Sequence, residues 1–177
     1  MSPTGYAGAR PTGTAPNDPP APSVPHDQLR RLLRRQAATV AVITTAGRDR
    51  PVGFTATSFT PVSIRPPLIS FCLHRDSSCH PTFQAAGYVA VHLLSAEQAD
   101  LARTFATRGI DRFTAVAWRP GPYDLPMLDG ALAWLVCRVT DRIPAGDHTL
   151  LLAEPVAADH VEGEPLIYHT GADRHLP

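Results

Sequence analysis

Short runs of β-branched and aromatic residues, each bounded by a turn signal, recur along most of this 177-residue chain and restrict the folds it can adopt. Residues 39–46 (TVAVITTA) and a hydroxyl-rich stretch that begins at Pro51 are separated by the turn Gly47–Arg50, which predicts a hairpin. Further strands are predicted in residues 66–74, 88–95, 131–143 and 148–161. The last two are long and are joined by the short link PAGD, so an antiparallel arrangement is expected.

Helices are predicted in three places. Residues 29–36 (LRRLLRRQ) place leucines at helical spacing among arginines, and residues 80–87 (HPTFQAAG) suit a short helix. Ser95 and Gln98 form a capping-box pattern ahead of an apolar stripe. Strands and helices do not alternate regularly, and no GxGxxG or P-loop occurs, so a Rossmann fold is not expected. The pattern predicts a mainly β fold, an antiparallel barrel with helical insertions.

The N-terminal 25 residues differ in composition from the rest of the chain. They are rich in Pro, Gly, Thr and Ala, and such a segment cannot bury enough apolar surface to offset its chain entropy. A disordered arm over residues 1–25 is therefore predicted, and an arm that packs on a partner subunit is the alternative. Residues 26–177 are predicted to form one domain, since that length can bury a hydrophobic core.

The composition argues against several functional classes. The formal net charge is zero, so the basic face of a nucleic-acid binder is not expected. No run approaches the ~20 apolar residues of a membrane span, and the N-terminus lacks the pattern of a secretory signal. The three cysteines lack CxxC spacing and are interpreted as reduced thiols of a cytoplasmic protein. The eight histidines show neither HxH nor HExxH spacing, so no metal site is predicted.

The stretch FTATS, residues 54–58, is the first candidate binding segment. In a strand, Thr55 and Thr57 share one face, whereas Phe54, Ala56 and Ser58 share the other. One interpretation is that hydroxyls and backbone amides here hydrogen-bond a flat polar heterocycle. The other is that threonine is simply common in strands, and the segment taken alone favours this second interpretation.

Three further segments carry polar residues where ligands often bind. Ser77 and Ser78 precede a predicted helix, where they could bind phosphate or cap the helix. Two arginines flank Asp111 after another predicted helix, and they could hold phosphate or form only helix-end and surface ion pairs. His148 opens a strand after a tight turn and could line a pocket, although a lone histidine is more often a surface or capping residue.

The order of these segments along the chain is more specific than any one of them. Taken in that order, they strongly resemble the flavin reductase family with the FMN-binding split-barrel fold, which supplies the reductase components of two-component flavin monooxygenases. The resemblance extends from about residue 27 to the end. The stretches that carry it are residues 50–83, 101–113 (LARTFATRGIDRF), 128–139 (LDGALAWLVCRV), 146–156 (GDHTLLLAEPV) and 165–169 (PLIYH).

The resemblance implies a homodimer of six-stranded antiparallel split β-barrels of Greek-key type, with flavin held near the subunit interface. The residues that it implies for binding FMN or FAD are Phe54, Thr55, Ala56, Thr57, Ser58, Cys72, Leu73, Ser77, Ser78, Arg112 and Phe113. Those that it implies for the nicotinamide pocket are His148, Tyr168, His169 and Arg174, and His148 is expected to position the nicotinamide.

The implied function is reduction of FMN or FAD by hydride transfer from NADH or NADPH, with reduced flavin passing to a separate monooxygenase. The flavin would carry the chemistry, so no acid, base or nucleophile is required. Thr170 and Asp173 stand where relatives often have a basic and an aromatic residue. This departure motivates the alternative, a non-catalytic flavin- or haem-binding split-barrel accessory protein.

Overall fold

The computed structural model describes residues 23–170 and 172–174 of the chain. The predicted arm, residues 1–25, lies outside the described residues except for its last three positions, which are exposed. The described strands are β1 (Ala38–Thr39), β2 (Ala41–Thr45), β3 (Val52–Ala56), β4 (Thr60–Ile64), β5 (Pro67–His74), β6 (Tyr88–Leu93), β7 (Trp118–Pro120), β8 (Pro126–Leu128), β9 (Ala133–Ala145), β10 (His148–His160), β11 (Ile167–His169) and β12 (Ala172–Arg174).

The main sheet contains seven of these strands in the order β3-β2-β6-β9-β10-β5-β4, and every neighbouring pair is antiparallel. The prediction of a mainly β fold with helices is therefore confirmed. The predicted count of six strands differs from the described sheet, because residues 60–64 pair with β5 as an additional edge strand. Smaller sheets of two and three strands pair β7 with β8 and join β1, β11 and β12.

The main sheet cannot be flat. Its two edge strands, β3 and β4, are consecutive in the chain and are linked by residues 57–59 alone. Four peptide units span at most ~14 Å, whereas the outer strands of a flat seven-stranded sheet lie ~29 Å apart. The sheet therefore curls back on itself, and the side chain of Ser58 reaches β5, where its Oγ accepts a hydrogen bond of 2.9 Å from the Cys72 amide.

The helices are short and join the strands. They are α1 (His26–Leu33), α2 (His80–Ala85) and α3 (Ala99–Ala106), with 3₁₀ turns at Ala96–Gln98 and Pro122–Asp124. The capping box is confirmed, since the Ser95 amide donates to Gln98 Oε1 over 3.1 Å. Among the described residues, no helix combines the length and the apolar character needed to cross a bilayer.

The hydrophobic core has two main parts, which lie on opposite faces of β2. Ala41 and Ile43 point into a cluster that contains Phe54, Phe71 and Phe83. The alternate residues of the same segment point the other way, into a cluster under α3 made of Val40, Val42, Leu94, Phe105, Phe113 and Leu166. Both faces of β2 are thus covered, which explains its continuous run of buried residues.

Candidate functional site

A cleft of about 450 Å³ opens where the curled sheet brings β3, β5 and the end of α3 together. Most of the residues that the sequence predicts for flavin binding line this cleft, together with the predicted nicotinamide residue; they are Phe54–Ser58, Cys72, Leu73, Ser77, Ser78, Arg112 and His148. These positions are up to 94 residues apart in sequence and converge only because β3 and β5 face each other across the curl.

The edge strand β3 forms one wall of the cleft. The hydroxyl of Thr55 donates a 2.6 Å hydrogen bond to the Ala102 carbonyl of α3. The hydroxyl of Ser58 accepts a hydrogen bond from the Cys72 amide of β5. Thr57 is exposed and its hydroxyl has no hydrogen-bond partner among the described residues. Because β3 pairs with β2 on one side only, its other edge presents backbone groups to the cleft, and of these the Gly53 carbonyl is already bound by Arg112 and Cys79.

Arg112 also lines the cleft, and backbone carbonyls of the protein hold its side chain. Its Nε and Nη2 donate to the Thr107 carbonyl over 3.0 and 2.8 Å, and its Nη1 donates to the Gly53 carbonyl over 2.6 Å. The same Nη1 lies 3.0 Å from Cys79 Sγ. All of these acceptors are uncharged, so the guanidinium keeps its full positive charge beside the cleft.

Arg108 adds a second cation to the same side of the cleft. It is exposed, and neither Arg108 nor Arg112 forms an ion pair within the part of the chain that the structure describes. Two guanidinium groups without carboxylate partners create a positive potential at this end. This arrangement suits an anionic group such as a phosphate.

The serine loop between β5 and α2 lines the same cleft. Ser77 accepts a 3.3 Å hydrogen bond from the Cys79 amide, which is a turn within the loop rather than a cap on the helix. Ser78 is exposed, and its hydroxyl has no partner among the described residues. Of the two serines, Ser78 is therefore the one with a free hydroxyl to offer a ligand.

His148 lines the cleft, and Asp147 lies next to it. The Nδ1 of His148 is 2.7 Å from Asp147 Oδ1, and this hydrogen bond lowers the pKa of the Asp147 carboxyl below its ordinary value. Cys72 also lines the cleft, and burial raises the pKa of its thiol. The thiol therefore stays protonated at neutral pH and is not a nucleophile.

Three of the predicted site residues, Phe113, Tyr168 and His169, do not line this cleft. The ring of Phe113 is buried against Phe105 with ring centroids 5.1 Å apart, so the predicted contact between this side chain and a ligand is corrected to a core position. Tyr168 lines a separate groove, described below, and His169 belongs to β11. Arg174 lies in β12, and its side chain is outside the described residues. Of the residues predicted for the nicotinamide pocket, His148 thus lines the cleft and Tyr168 lines the separate groove.

The separate groove has a volume of about 920 Å³ and lies between α1 and the segment that joins β3 to β4. Leu29 and Leu33 line it from α1, and Tyr168 lines it from β11. Thr57 and Ser58 line both this groove and the cleft. The two hollows are therefore neighbours on either side of the same short loop.

His74 and Asp76 also line the cleft, although neither was predicted from the sequence. His74 ends β5 and His148 begins β10, and these strands are adjacent, so the strand pairing would have predicted that the two histidines meet. Within the described residues, no group of three or more histidine, cysteine or carboxylate side chains could hold a metal ion.

A mainly antiparallel β fold with a polar, positively charged cleft on a curled sheet edge defines a small-molecule binding domain. The family described as "Flavin reductase like domain" matches residues 33–177. The chain belongs to this family, and the family predicted from the sequence is confirmed.

Relatives and solved structures agree with this assignment. The chain is 40% identical over 149 residues to an NADH:FMN oxidoreductase of Rhodococcus erythropolis, and this match covers 80% of this chain and 77% of the relative. It is 34% identical over 149 residues to the reductase component of a 4-nitrophenol 4-monooxygenase/4-nitrocatechol 2-monooxygenase of Rhodococcus opacus, covering 84% of this chain and 80% of the relative. The structure of the NADH:FAD oxidoreductase SgcE6 of Streptomyces globisporus, in complex with NAD and FAD fragments, superposes with a TM-score of 0.81 at 35% identity, covering 85% of this chain and 92% of that chain.

Proposed function

We propose that this protein reduces FMN or FAD with NADH or NADPH and supplies the reduced flavin to a separate monooxygenase. It is an oxidoreductase of the flavin reductase family. The observation that carries the proposal is the cleft itself, because it gathers eleven residues that the resemblance implies for the two ligands. Relatives named as NADH:FMN oxidoreductase and as the reductase component of a monooxygenase support the reaction and the type of partner.

The residues of the cleft fit a flavin mononucleotide or dinucleotide. Its volume of about 450 Å³ lies within the range of ordinary small-molecule sites. The free edge of β3 offers amides to a polar ring, Thr57 and Ser78 offer hydroxyls, and Arg108 and Arg112 offer positive charge to a phosphate. The chemistry of these groups matches the two halves of the ligand, a planar heterocycle and an anionic tail.

The protein residues bind and orient the ligands rather than react with them. When bound, the flavin supplies the ring that accepts the hydride, so the chain needs no nucleophile of its own. The segment Phe54–Ser58 would hold the heterocycle along β3, and Arg108, Arg112 and Ser78 would hold the phosphate end. His148 would position the nicotinamide cofactor in the same cleft.

A six-stranded split barrel is the finer fold that we propose. The strands β3, β2, β6, β9, β10 and β5 would form the barrel, and β4 would extend the β5 hairpin beyond it. The curl that the short 57–59 link imposes supports this arrangement. So does the Ser58–Cys72 hydrogen bond, which joins the end of β3 to β5 across the split.

A homodimer is part of the same proposal. The leucines of α1 are 44–57% exposed and no residue of that helix is buried, although its three leucines share an apolar face. A second copy packed on this face would cover it and would close the groove that Thr57 and Ser58 share with the cleft. Tyr168, His169 and Arg174 would then complete the nicotinamide pocket near the interface. A cytoplasmic location is also proposed, because Cys72, Cys79 and Cys137 are all free thiols.

The experiment that tests the function is steady-state oxidation of the nicotinamide cofactor. The purified full chain is mixed with NADH or NADPH and with FMN, FAD or no flavin, and the absorbance of the reduced nicotinamide is followed. We expect oxidation that requires both the protein and an added flavin. Absence of catalysed oxidation with all four pairs would contradict the proposal, and tight flavin binding in the same preparation, or a Soret band, would favour the non-catalytic alternative.

A further inference from the structure

Two histidines face each other at the rim of the cleft, where β5 ends and β10 begins. His74 and His148 are directly opposite in the antiparallel ladder of these two strands. Their rings meet edge to face, with centroids 4.9 Å apart and an angle of 76° between the planes. Both side chains line the cleft, and only 36% and 40% of their respective surfaces are exposed.

One carboxylate lies between the two rings. Asp147 Oδ1 is 2.7 Å from His148 Nδ1, and Asp147 Oδ2 is 3.7 Å from His74 Nε2. The backbone holds this carboxylate in register, because the Arg75 amide donates a 3.0 Å hydrogen bond to the Asp147 carbonyl. The turn that carries Asp147 is therefore fastened to the end of β5, next to His74.

The hydrogen bonds fix which ring nitrogens carry protons. The Asp76 amide donates to His74 Nδ1 over 3.0 Å, so the proton of a neutral His74 is on Nε2, which faces Asp147. The Asp147 carboxylate only accepts, so His148 carries its proton on Nδ1. Its Nε2 has no partner among the described residues, and in the neutral ring it is a hydrogen-bond acceptor.

The charged surroundings of the pair are unequal. Besides Asp147, His74 has the carboxylate of Asp76 at 4.0 Å from its Nδ1. Among the described residues of the adjoining segments, the side chain of Arg75 is exposed, and only its backbone amide binds the turn that carries Asp147. Arg108 and Arg112 are the other cations that line the cleft. A proton taken up by either imidazole is thus stabilised by Asp147, while two adjacent imidazolium rings repel each other.

We propose that His74 is a positioning residue of the co-substrate site. His74 packs on His148 and shares Asp147 with it, and so sets the pH range in which His148 presents a neutral acceptor to NADH or NADPH. That the ligand is NADH or NADPH rests on the proposed function. The coupling between the two histidines rests on the geometry alone.

The test uses the flavin-free full chain and histidine NMR. His74→Asn keeps an acceptor for the Asp76 amide but removes the group that faces Asp147. Since Asp147 would then serve His148 alone, the NMR titration of His148 is expected to move to higher pH, whereas Asp147→Asn is expected to move it to lower pH. His148→Gln identifies the signal, and His160→Gln, at the exposed end of β10, is the matched control.

Kinetics with saturating flavin then link the coupling to the reaction. In His74→Asn, the acid limb of kcat/KM for NADH is expected to move in the same direction as the NMR titration. A His148 titration that does not differ between wild type and His74→Asn would overturn the proposal. If His74→Asn fails to fold, His74→Gln, which offers Asp147 a donor that does not titrate, provides the same comparison. A shifted titration in a protein that oxidises no NADH would support the coupling and refute the reductase function.

Discussion

Hydrogen bonds to the protein occupy most of the polar side chains in the wall of the cleft. Thr55 binds α3 and Ser58 binds β5, so both shape the wall. Thr57, Ser78 and Arg108 have no such partner among the described residues and are free to contact a ligand. At the scale of single residues, some polar side chains therefore hold the wall of the cleft in place, while others are available to contact a ligand.

Arg112 belongs to both groups, and a pair of substitutions separates its roles. Arg112→Lys keeps the charge but cannot reach the Gly53 and Thr107 carbonyls together, so the free energy of unfolding should fall by about 1–3 kcal/mol. Arg108→Lys, the matched control, should leave stability nearly unchanged because Arg108 has no partner among the described residues. Urea unfolding measures stability, and titration with FMN measures affinity, which we expect to weaken in the Arg112 variant. Equal stability of the two variants would show that Arg112 does not fasten the cleft wall.

At the scale of elements, one buried side chain joins strands from different sheets. The fully buried His92 of β6 donates from Nδ1 to the Val42 carbonyl over 3.2 Å, and its Nε2 accepts from the Leu128 amide over 3.1 Å. The imidazole thus connects β2 of the main sheet to β8 of the two-stranded sheet. This bridge requires the neutral ring, because Nε2 must accept.

The bridge predicts a loss of stability in acid. Burial lowers the pKa of His92 from 6.5 to about 4, so below pH 6.5 the unfolded chain takes up a proton that the folded protein refuses. The free energy of unfolding therefore falls as the pH drops, by about 2 kcal/mol between pH 6.5 and 5 from this group.

Urea unfolding across this pH range measures the effect. His92→Gln is expected to be less stable than the wild type at pH 7 but to lose about 2 kcal/mol less on acidification, since the buried titrating group is gone. The same dependence on pH in both proteins would refute the assignment to His92.

At the scale of the whole molecule, the curl of the sheet creates the site, and an exposed helix lies beside it. The link of residues 57–59 draws the edges of the sheet together, and the same loop separates the cleft from the groove under α1. The fold of one chain thus leaves an apolar helix face next to a half-open binding site. We infer that assembly and ligand binding are connected.

Disruption of the α1 face tests this connection. Leu29→Ser with Leu33→Ser removes two exposed leucines without opening the core, so the chain should fold but should not dimerise. Light scattering at micromolar concentration should give a dimer for the wild type and a monomer for the variant, whose KM for NADH should rise. Val161→Ser, at an exposed valine after β10, is the control. A variant that remains dimeric would place the interface on another face.

Local sequence patterns determined the elements of this protein because each pattern reflects a local physical preference. Alternating and β-branched runs predicted the long hairpin β9–β10 and the hairpin β2–β3, and the Ser95–Gln98 capping box was correct. The additional edge strand β4 was not separated from the strand before it, because three residues of link carry little turn signal. The order of the motifs was specific enough to predict the family.

Tertiary structure alone decided how the candidate residues are used, because each use depends on what the curled sheet brings nearby. Phe113 follows the arginine of its motif but is drawn into the core by Phe105, and Arg112 turns towards carbonyls that lie 5 and 59 positions away in the sequence. The pairing of β5 with β10 sets His74 against His148 across 74 positions, and no local pattern encodes such a contact. The sequence thus determined which strands, helices and family to expect, while long-range packing decided which side chains build the cleft and which remain free to bind.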